Sequence, residues 1–471
     1  MNLGGCRRPW LVALILVLVL GACTGSDSVD PADISFPDVA PTSTAPRPTS
    51  SLSTPTTQGP PTGGAVRVGL WAEPDPQAPT LAGAIVRSVT QPQLFEADAD
   101  GGWTAGLVRP GSDVDGPDLR SASFELRSGA MWSDGSPITV ADLERSADGT
   151  FVESIDQDAQ GRITVRFNQP LVNWRVLWSG TAVIEPPAPG VFGGPFVVET
   201  FEPGLRTVLV PNRSWWGPGP YLDRLEIVVV PDHDIAMRLF ATGELDVVSP
   251  WPSVGRLAEL EAVAAVRPVQ IDTAVGTGWW TGMTLDPARV DDGDRAALAS
   301  LLDAGFFAES LLKGEVVPLP GDPAAPIGPL NQVTITAADD VPMLAVANRA
   351  IVLAARSGGG TPPEVREGDS GLVETWLDEG ADVWVGLNYE GPGRGCWTCR
   401  YGWVDEVAAR LADGGGPTLD ELLDERSVVK RWWNPIIAVA SSDQIVGPEA
   451  NGWALGPIWN AHTWYIRPDD Q

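Results

Sequence analysis

The stretch FELRSGAMWSDGSPIT, Phe124–Thr139, decides how the middle of this 471-residue chain is interpreted. Phe124–Arg127 predicts a strand that ends in a glycine turn. Asp134-Gly135 supplies the residues of a second tight turn. Thr139 can then cap a helix that carries Asp142 in its first turn. The stretch therefore predicts a strand, a turn and a capped helix.

The same stretch resembles the signature of the family 5 extracellular solute-binding proteins, which read roughly F-x-L-R-x-G-x-x-W-x-D-G-x-P-x-T-A-x-D. The matching residues are Phe124, Leu126, Arg127, Gly129, Trp132, Asp134, Gly135, Pro137, Thr139 and Asp142. The resemblance implies an α/β fold of the periplasmic-binding-protein type (type II, family 5 or cluster C), with two lobes, mixed sheets and a hinge. It also implies a protein that binds a solute, not an enzyme.

A second block, Asn212–Val247, resembles the same family's N-x-x-Y-W-G-x-x-P-Y-L-D and G-E-x-D elements. The matching residues are Asn212, Trp216, Gly217, Pro220, Tyr221, Leu222, Asp223, Gly243, Glu244 and Asp246, with Trp215 in place of the Tyr. The apolar run Leu225–Val230 predicts a strand, and Ile235–Thr242 predicts an amphipathic helix that ends at Gly243. This block predicts a β-α-β crossover.

The rest of the folded part alternates predicted strands and helices, which favours an α/β fold. The predicted strands are Ala65–Leu70, Thr164–Phe167, Trp279–Asp286, Val333–Thr336 and Asp382–Leu387. The predicted helices are Leu81–Phe95, Val290–Leu312 and Pro342–Ala355. By resemblance, the apolar strands from about Asn434 to Trp464 return to the first lobe, so that two crossings join the lobes.

The amino terminus predicts export. Arg7-Arg8, the apolar run Trp10–Leu20 and the small residues before Cys23 form a secretory signal peptide, and the run is too short to span a bilayer. Leu-Gly-Ala-Cys resembles a bacterial lipobox, which implies lipidation of Cys23; a plain signal peptide is the alternative. Residues 24–63 hold eight Pro and fifteen Ser or Thr, a composition typical of a disordered tether.

The expected organisation divides the chain into five parts. They are a signal peptide over 1–22, a tether over 23–63, a first lobe over 64–278, a second lobe over 279–430 and a return to the first lobe over 431–471. The expected location is the extracytoplasmic face of the cell membrane, held there by a lipid anchor.

Composition argues against a nucleic-acid partner. The formal net charge is −30 and the only lysines are Lys313 and Lys430, so no basic stripe is available to neutralise phosphates. The acidity suits a solvated surface or an acidic docking face. Twenty tryptophans suit either a large core or a site that stacks a ligand.

Cys396 and Cys399 form a Cys-x-x-Cys motif. In an exported chain this spacing predicts a structural disulfide, with thiol oxidoreductase chemistry as the alternative. Two cysteines do not complete a zinc shell, and the histidines are far apart in sequence, so no metal site is expected. No nucleophile elbow, zinc-protease motif or phosphate loop occurs, and no cofactor is expected.

Candidate ligand contacts come from aromatic residues near the expected lobe boundaries and from one carboxylate. Trp279, Trp280, Tyr389 and Trp403 are either stacking walls or core. Gly402-Trp403-Val404-Asp405 is similar to a G-W-x-x-D element of peptide-binding relatives, one residue short, in which the Asp pairs with an amino group. Asp405 is either that group or a helix N-terminal residue.

The resemblance implies the solute-capturing subunit of an ABC importer. Its expected partners are a small solute, most simply a peptide, and the permease subunits, and the expected oligomeric state is a monomer. Two alternatives stay open: a ligand-sensing lipoprotein without a transport role, and an extracytoplasmic thiol oxidoreductase that uses Cys396 and Cys399.

Overall fold

The fold was analysed in a computed structural model, which describes part of the chain from residue 59 onward. The described residues are 59–78, 80–99, 102–117, 119–147, 149, 151–168, 171, 174–180, 182–250, 255–276, 279–285, 290–299, 305, 308–309, 312, 315–318, 334–338, 364–368, 382–389, 429–452 and 456–468. Gly59–Gln471 forms one unit by its internal contacts, separate from Met1–Gln58. The predicted signal peptide and nearly all of the predicted tether therefore lie outside the described residues.

Strands dominate the described chain. They are β1 (Ala65–Leu70), β2 (Phe95–Ala97), β3 (Trp103–Ala105), β4 (Val114–Asp115), β5 (Ser121–Glu125), β6 (Val152–Gln157), β7 (Arg162–Phe167), β8 (Phe196–Glu202), β9 (Arg206–Pro211), β10 (Arg224–Val229), β11 (Val247–Val248), β12 (Val269–Val275), β13 (Trp279–Leu285), β14 (Val316–Pro318), β15 (Thr334–Ala338), β16 (Glu364–Gly368), β17 (Val383–Tyr389), β18 (Val429–Ser442), β19 (Ile445–Val446) and β20 (Tyr465–Ile466). The helices are α1 (Leu81–Thr90), α2 (Val140–Arg145), α3 (His233–Thr242), α4 (Arg256–Ala264) and α5 (Asp292–Ala299), with 3-10 turns at Trp174–Trp178 and Ala461–Thr463.

The main sheet is mixed. Its order is β16-β15-β17-β13-β18-β11-β1-β10-β9-β8, and β12 and β14 also pair with β18. The central strand β1 runs parallel to both β10 and β11, whereas β9 runs antiparallel to β10. The predicted β-α-β crossover, β10-α3-β11, is confirmed, and β1 lies between its two strands. Val66 and Val68 on β1 are fully buried and anchor the core of this region.

The helix of the crossover has defined ends. The Asp232 side chain accepts a hydrogen bond from the Ile235 N–H at 2.9 Å, which satisfies one of the free donors of the first turn. Gly243 ends the helix in the left-handed region at φ 83°, where a side chain would be strained. The predicted glycine cap is therefore confirmed.

Helix α1 is shorter than predicted. The sequence predicted Leu81–Phe95, but the helix ends at Thr90 and Phe95 begins strand β2. The cause is Pro92, because the residue before a proline is forced out of the helical region, and Gln91 accordingly has φ −116° and ψ 153°.

A second sheet, ordered β4-β5-β7-β6, contains the signature stretch and has its own core. Trp174 lies at the centre of that core, stacked on Phe124 at 5.7 Å between ring centroids and edge-on to Phe95 at 5.4 Å. Its indole N–H donates to the Asp115 carboxylate at 2.7 Å. A buried ring with a satisfied polar atom gives this sheet a fixed centre.

The predicted strand, turn and capped helix of the signature stretch are confirmed, although the strand, β5, begins three residues earlier and ends two residues earlier than predicted. The Thr139 N–H donates to the Asp142 carboxylate at 2.7 Å, which is half of a capping box. Arg145 pairs with the same carboxylate at 2.6 Å. Asp142 is thus buried with partners on two sides.

The strands predicted in the second half are found as β13, β15 and β17, with small shifts at their ends. Helix α5 begins within the predicted Val290–Leu312 segment and is described as far as Ala299. The predicted helix Pro342–Ala355 lies outside the described residues.

Candidate functional site

The carboxyl ends of the parallel strands define one edge of the main sheet, which we call the crossing edge. It comprises Leu70 of β1, Val229 of β10 and Val248 of β11. Strand β12 leaves this edge toward β13, and β18 returns across it. In open α/β sheets, ligands bind beyond the carboxyl ends of the strands, so this edge is the candidate site.

The loop from β1 to α1, residues 71–80, lies over the crossing edge and is fixed by its neighbours. The Thr207 hydroxyl donates to the Pro74 carbonyl at 2.8 Å. The Gly204 N–H donates to the Glu73 carboxylate at 3.1 Å. Gly83 in helix α1 is also required here, because a Cβ would lie 2.4 Å from the Asp75 carbonyl. The loop is therefore built into the sheet and presents a defined surface.

Strand β18 changes partners at Pro435. Its first half pairs with β13 and β14, and its second half, from Ile436, pairs with β12. Proline has no N–H to donate to a ladder, which suits the point where one ladder stops and another begins. The Pro435 carbonyl accepts a hydrogen bond from the Gly276 N–H at 2.9 Å, which joins the end of β12 to β18. We call this point, at Gly276 and Pro435, the crossing.

Glu315 is a buried carboxylate beside this crossing, with only 6% of the residue exposed. It accepts from the Leu257 N–H at the start of α4 at 3.2 Å, and its own carbonyl accepts from the Ile436 N–H at 2.9 Å. Burial raises the pKa of the Glu315 carboxyl above its usual value, against the opposing effect of the α4 backbone donors. Glu315 therefore connects the crossing to helix α4. The sequence alone did not predict this role.

Trp432 and Trp433 also lie on β18 and are 0% and 1% exposed. Their rings contact each other at 5.6 Å between centroids, and neither indole N–H has a hydrogen-bond partner in the described part of the chain. These two tryptophans are buried core residues, which is one of the two roles that the tryptophan-rich composition suggested.

The sequence-predicted aromatic residues are partly brought together. Trp279 begins β13 and Tyr389 ends β17, and the antiparallel register pairs them directly, with Trp280 opposite Asn388. Their backbones thus lie one strand apart at the end of β13 that is nearest the crossing. Trp403, Asp405, Cys396, Cys399 and Cys23 lie outside the described residues, and their predicted roles stay predictions.

Neither metal ligation nor membrane spanning is visible in the described part of the chain. No group of three or more His, Cys, Asp or Glu side chains there is placed to hold a metal ion. Among the same residues, no helix has the length and apolar character needed to cross a bilayer.

Comparison with known proteins gives a consistent result. The model of the middle region of bacterial extracellular solute-binding proteins, family 5, matches residues 180–349. Oligopeptide-binding protein OppA of Mycobacterium bovis and of Mycobacterium tuberculosis is 27% identical over 302 residues, which is 55% of this chain and 48% of the relative. The chain therefore spans about half the length of these curated relatives.

Solved structures agree in fold. The binding protein AgaA of A. tumefaciens R10, in complex with agropinic acid, has a TM-score of 0.67 at 15% identity and covers 86% of this chain and 99% of its own. AppA of Bacillus subtilis, in complex with a nonapeptide, has a TM-score of 0.63 at 12% identity and covers 87% of this chain and all of its own. The predicted α/β fold of the periplasmic-binding-protein type, with mixed sheets, is confirmed.

Proposed function

We propose that this family 5 extracellular solute-binding protein captures a small peptide between two lobes and delivers it unchanged to the permease of an ABC importer. The family is indicated by the matching family model, by the curated relatives and by the fold. The observation that carries the proposal is the crossing, at which β12–β13 and β18 pass together from one half of the main sheet to the other.

The crossing supports a hinge because β18 exchanges its neighbouring strands there, at the ends of β12 and β14. At its centre the Gly276 N–H donates to the Pro435 carbonyl, and β18 has one set of partners on each side of that bond. A few residues at the ends of strands can absorb the rotation of two rigid bodies. The proposed lobes are 64–278 with 431–471, and 279–430.

A peptide is the proposed solute, on two grounds. The relatives OppA and AppA are named for binding oligopeptides or are seen with a nonapeptide. In this chain, the paired Trp279 and Tyr389 place two aromatic residues beside the crossing, and aromatic side chains suit the apolar parts of a peptide. Asp405 is proposed to receive the amino group.

Native mass spectrometry of protein purified from its own host tests the proposal. The expected result is a co-purifying mass that is released on denaturation and gives intact short peptides on sequencing. Asp405→Asn is expected to weaken peptide binding by about tenfold or more, because a charge-assisted hydrogen bond is lost. Glu153→Gln is the control, because Glu153 is exposed on β6. A protein that neither carries nor takes up peptides contradicts the proposal.

Anchoring through Cys23 is part of the same proposal. Several acyl chains on one residue give stable attachment to a bilayer. Cys23→Ala is therefore expected to move the protein from the membrane fraction to the soluble fraction. Equal membrane association of the variant and the original chain would contradict lipid anchoring through Cys23. It would not bear on the proposal that the protein binds a peptide.

A further inference from the structure

Glu315 bonds the second proposed lobe to the first at a point outside the continuous strands of the crossing. It belongs to the segment 279–430, and its Oε1 accepts from the Leu257 N–H of helix α4 at 3.2 Å. Its carbonyl accepts from the Ile436 N–H of β18 at 2.9 Å. Both donors belong to the first proposed lobe. A rotation of the lobes about the crossing therefore changes the surroundings of this residue.

The contact lies beyond the carboxyl end of β11. Successive residues of a strand direct their backbone N–H and C=O groups to alternate edges. Ile436 and Ser442 of β18 are six positions apart, so their N–H groups point to the same edge, where they donate to the Glu315 and Asp246 carbonyls. Strands β14 and β11 therefore lie one after the other along that edge of β18. Glu315 precedes β14 and so lies between these two strands, next to the crossing edge.

Helix α4 takes its side-chain cap from Glu315. The first N–H groups of a helix have no partner within it and are commonly satisfied by a polar side chain at the N-cap. Here the N-cap is Gly255, at φ 87°, which has no side chain to offer. The Glu315 carboxyl group accepts from Leu257, in the first turn, instead. The start of a helix in the first proposed lobe is thus completed by a residue of the second.

Two charged side chains of α4 face Glu315, and they act in opposite directions. The Arg256 charge lowers the pKa of the Glu315 carboxyl, and the Glu259 charge raises it. Arg256 and His233 both bind the Glu259 carboxylate, at 2.8 Å and 2.7 Å. The β18 residues that pair with this segment carry no charge. Because Arg256 is already paired with Glu259, Glu315 has no cation of its own in the described part of the chain.

The sign of the pH effect follows from burial. Burial raises the pKa of the Glu315 carboxyl and outweighs the α4 backbone donors. The arrangement described here therefore favours the neutral carboxyl over the ionised one, relative to an arrangement in which water reaches Glu315. The bonded arrangement is most stable at low pH, and it loses stability as the pH rises through that pKa.

We propose that Glu315 is a proton-controlled latch between the two proposed lobes: its neutral carboxyl holds α4 against the second lobe, and its ionised form favours a rotated arrangement in which water reaches the carboxylate. One ionising group changes the ratio of latched to rotated molecules by at most about tenfold for each pH unit. The latch rests on the two-lobe part of the proposed function. It does not depend on which solute the lobes capture.

Pulsed electron–electron double resonance measures the distance between spin labels on the two proposed lobes. The labels are attached at Val266→Cys and Glu309→Cys in the full chain, with its four native cysteines replaced by serine. Both positions are exposed, one just after α4 and the other in the second proposed lobe. Without any peptide, one distance is expected to dominate at pH 5, and a second population is expected to grow at pH 8.

Three variants separate Glu315 from its neighbours. Glu315→Gln keeps an acceptor for the Leu257 N–H and cannot ionise, so it is expected to keep the pH 5 distance at both pH values. Glu315→Ala has no acceptor, so the second population is expected at both pH values. His233→Gln removes the titratable partner of Glu259 and is expected to leave the pH response unchanged.

Circular dichroism melting curves establish that each variant is folded, and two Glu315 variants are used so that one folding failure does not end the test. The proposal is overturned if the original chain shows the same distances at pH 5 and pH 8. It is also overturned if folded Glu315→Gln keeps the pH response, or if His233→Gln abolishes it. The samples contain no peptide, so these results decide the latch alone, and peptide capture is decided separately by native mass spectrometry.

Discussion

At the scale of single residues, the most informative group is His462, a partly buried imidazole in the 3-10 turn Ala461–Thr463, whose ring lies 6.3 Å from that of Trp215 between centroids. Burial holds its pKa at about 4, below the ordinary value of 6.5. The folded protein therefore keeps this ring neutral at a pH where the unfolded chain already binds a proton.

The sign of the pH dependence follows from that difference. A histidine with a lowered pKa stabilises the folded state fully above pH 6.5, and this contribution is lost as the pH falls toward 4. Between pH 7 and pH 4 the loss amounts to about 3 kcal/mol as an upper bound. In His462→Gln, the fall in the free energy of unfolding over this interval is expected to be smaller by up to that amount. Urea titrations at both pH values measure it, and identical falls would contradict the assigned burial.

Gly135 offers a second test at this scale. It has φ +84°, and a Cβ at this position would meet no atom within 4 Å, so any cost of a side chain comes from the backbone alone. Gly135→Ala is expected to lower the free energy of unfolding by about 1 kcal/mol. Gly149→Ala is the matched control, because Gly149 also lies in open space and does not have a positive φ. An equal effect of the two changes in urea titrations would contradict the turn geometry.

The residue scale is also where the sequence predicted most. The cap at Thr139, the Asp134-Gly135 turn and the glycine end of α3 were predictable because each depends on residues within a few positions of one another. The role of Glu315 was not, because it depends on Leu257 and Ile436, which are more than fifty and more than a hundred positions away.

At the scale of elements, Glu315 links the crossing to helix α4, and burial raises the pKa of its carboxyl. A carboxyl with a raised pKa costs the folded state stability once the pH rises above the unfolded pKa of about 4.5, and the full cost is present above the folded pKa. Glu315→Gln keeps an oxygen that can accept from the Leu257 N–H but cannot ionise.

The stability of Glu315→Gln relative to the original chain is therefore expected to increase as the pH rises from 4 to 7. Thermal melts at several pH values measure this difference. Glu309→Gln, an exposed change in the preceding segment, is the control and is expected to show no such trend. If the stability of Glu315→Gln relative to the original chain decreased with rising pH, the folded protein would favour the ionised form of Glu315.

The limits of prediction at this scale have physical causes. Helix α1 was extended too far because Leu94 and Phe95 continue its apolar pattern, although both belong to the core of the second sheet. The change of partners within β18 was not visible, because Pro435 in a sequence of apolar residues gives no indication of which strands lie on either side.

At the scale of the whole molecule, Gly59–Gln471 forms one unit by its internal contacts, with the core of the main sheet inside it. A fragment of residues 59–471 is therefore expected to melt within about 2 °C of a chain that begins at residue 24. A fragment that begins at residue 71 is expected not to fold, because it lacks β1, the strand between β10 and β11. Scanning calorimetry of the three chains decides the point, and a large shift for the first fragment would contradict it.

The central claim is that the chain captures peptides without altering them, and a mixture of short synthetic peptides tests it most directly. The full chain is mixed with the peptides, separated from unbound material, and analysed by native mass spectrometry before and after release. The account predicts one-to-one complexes that release intact peptides. The absence of any complex, or the release of cleaved or oxidised peptides, would contradict it.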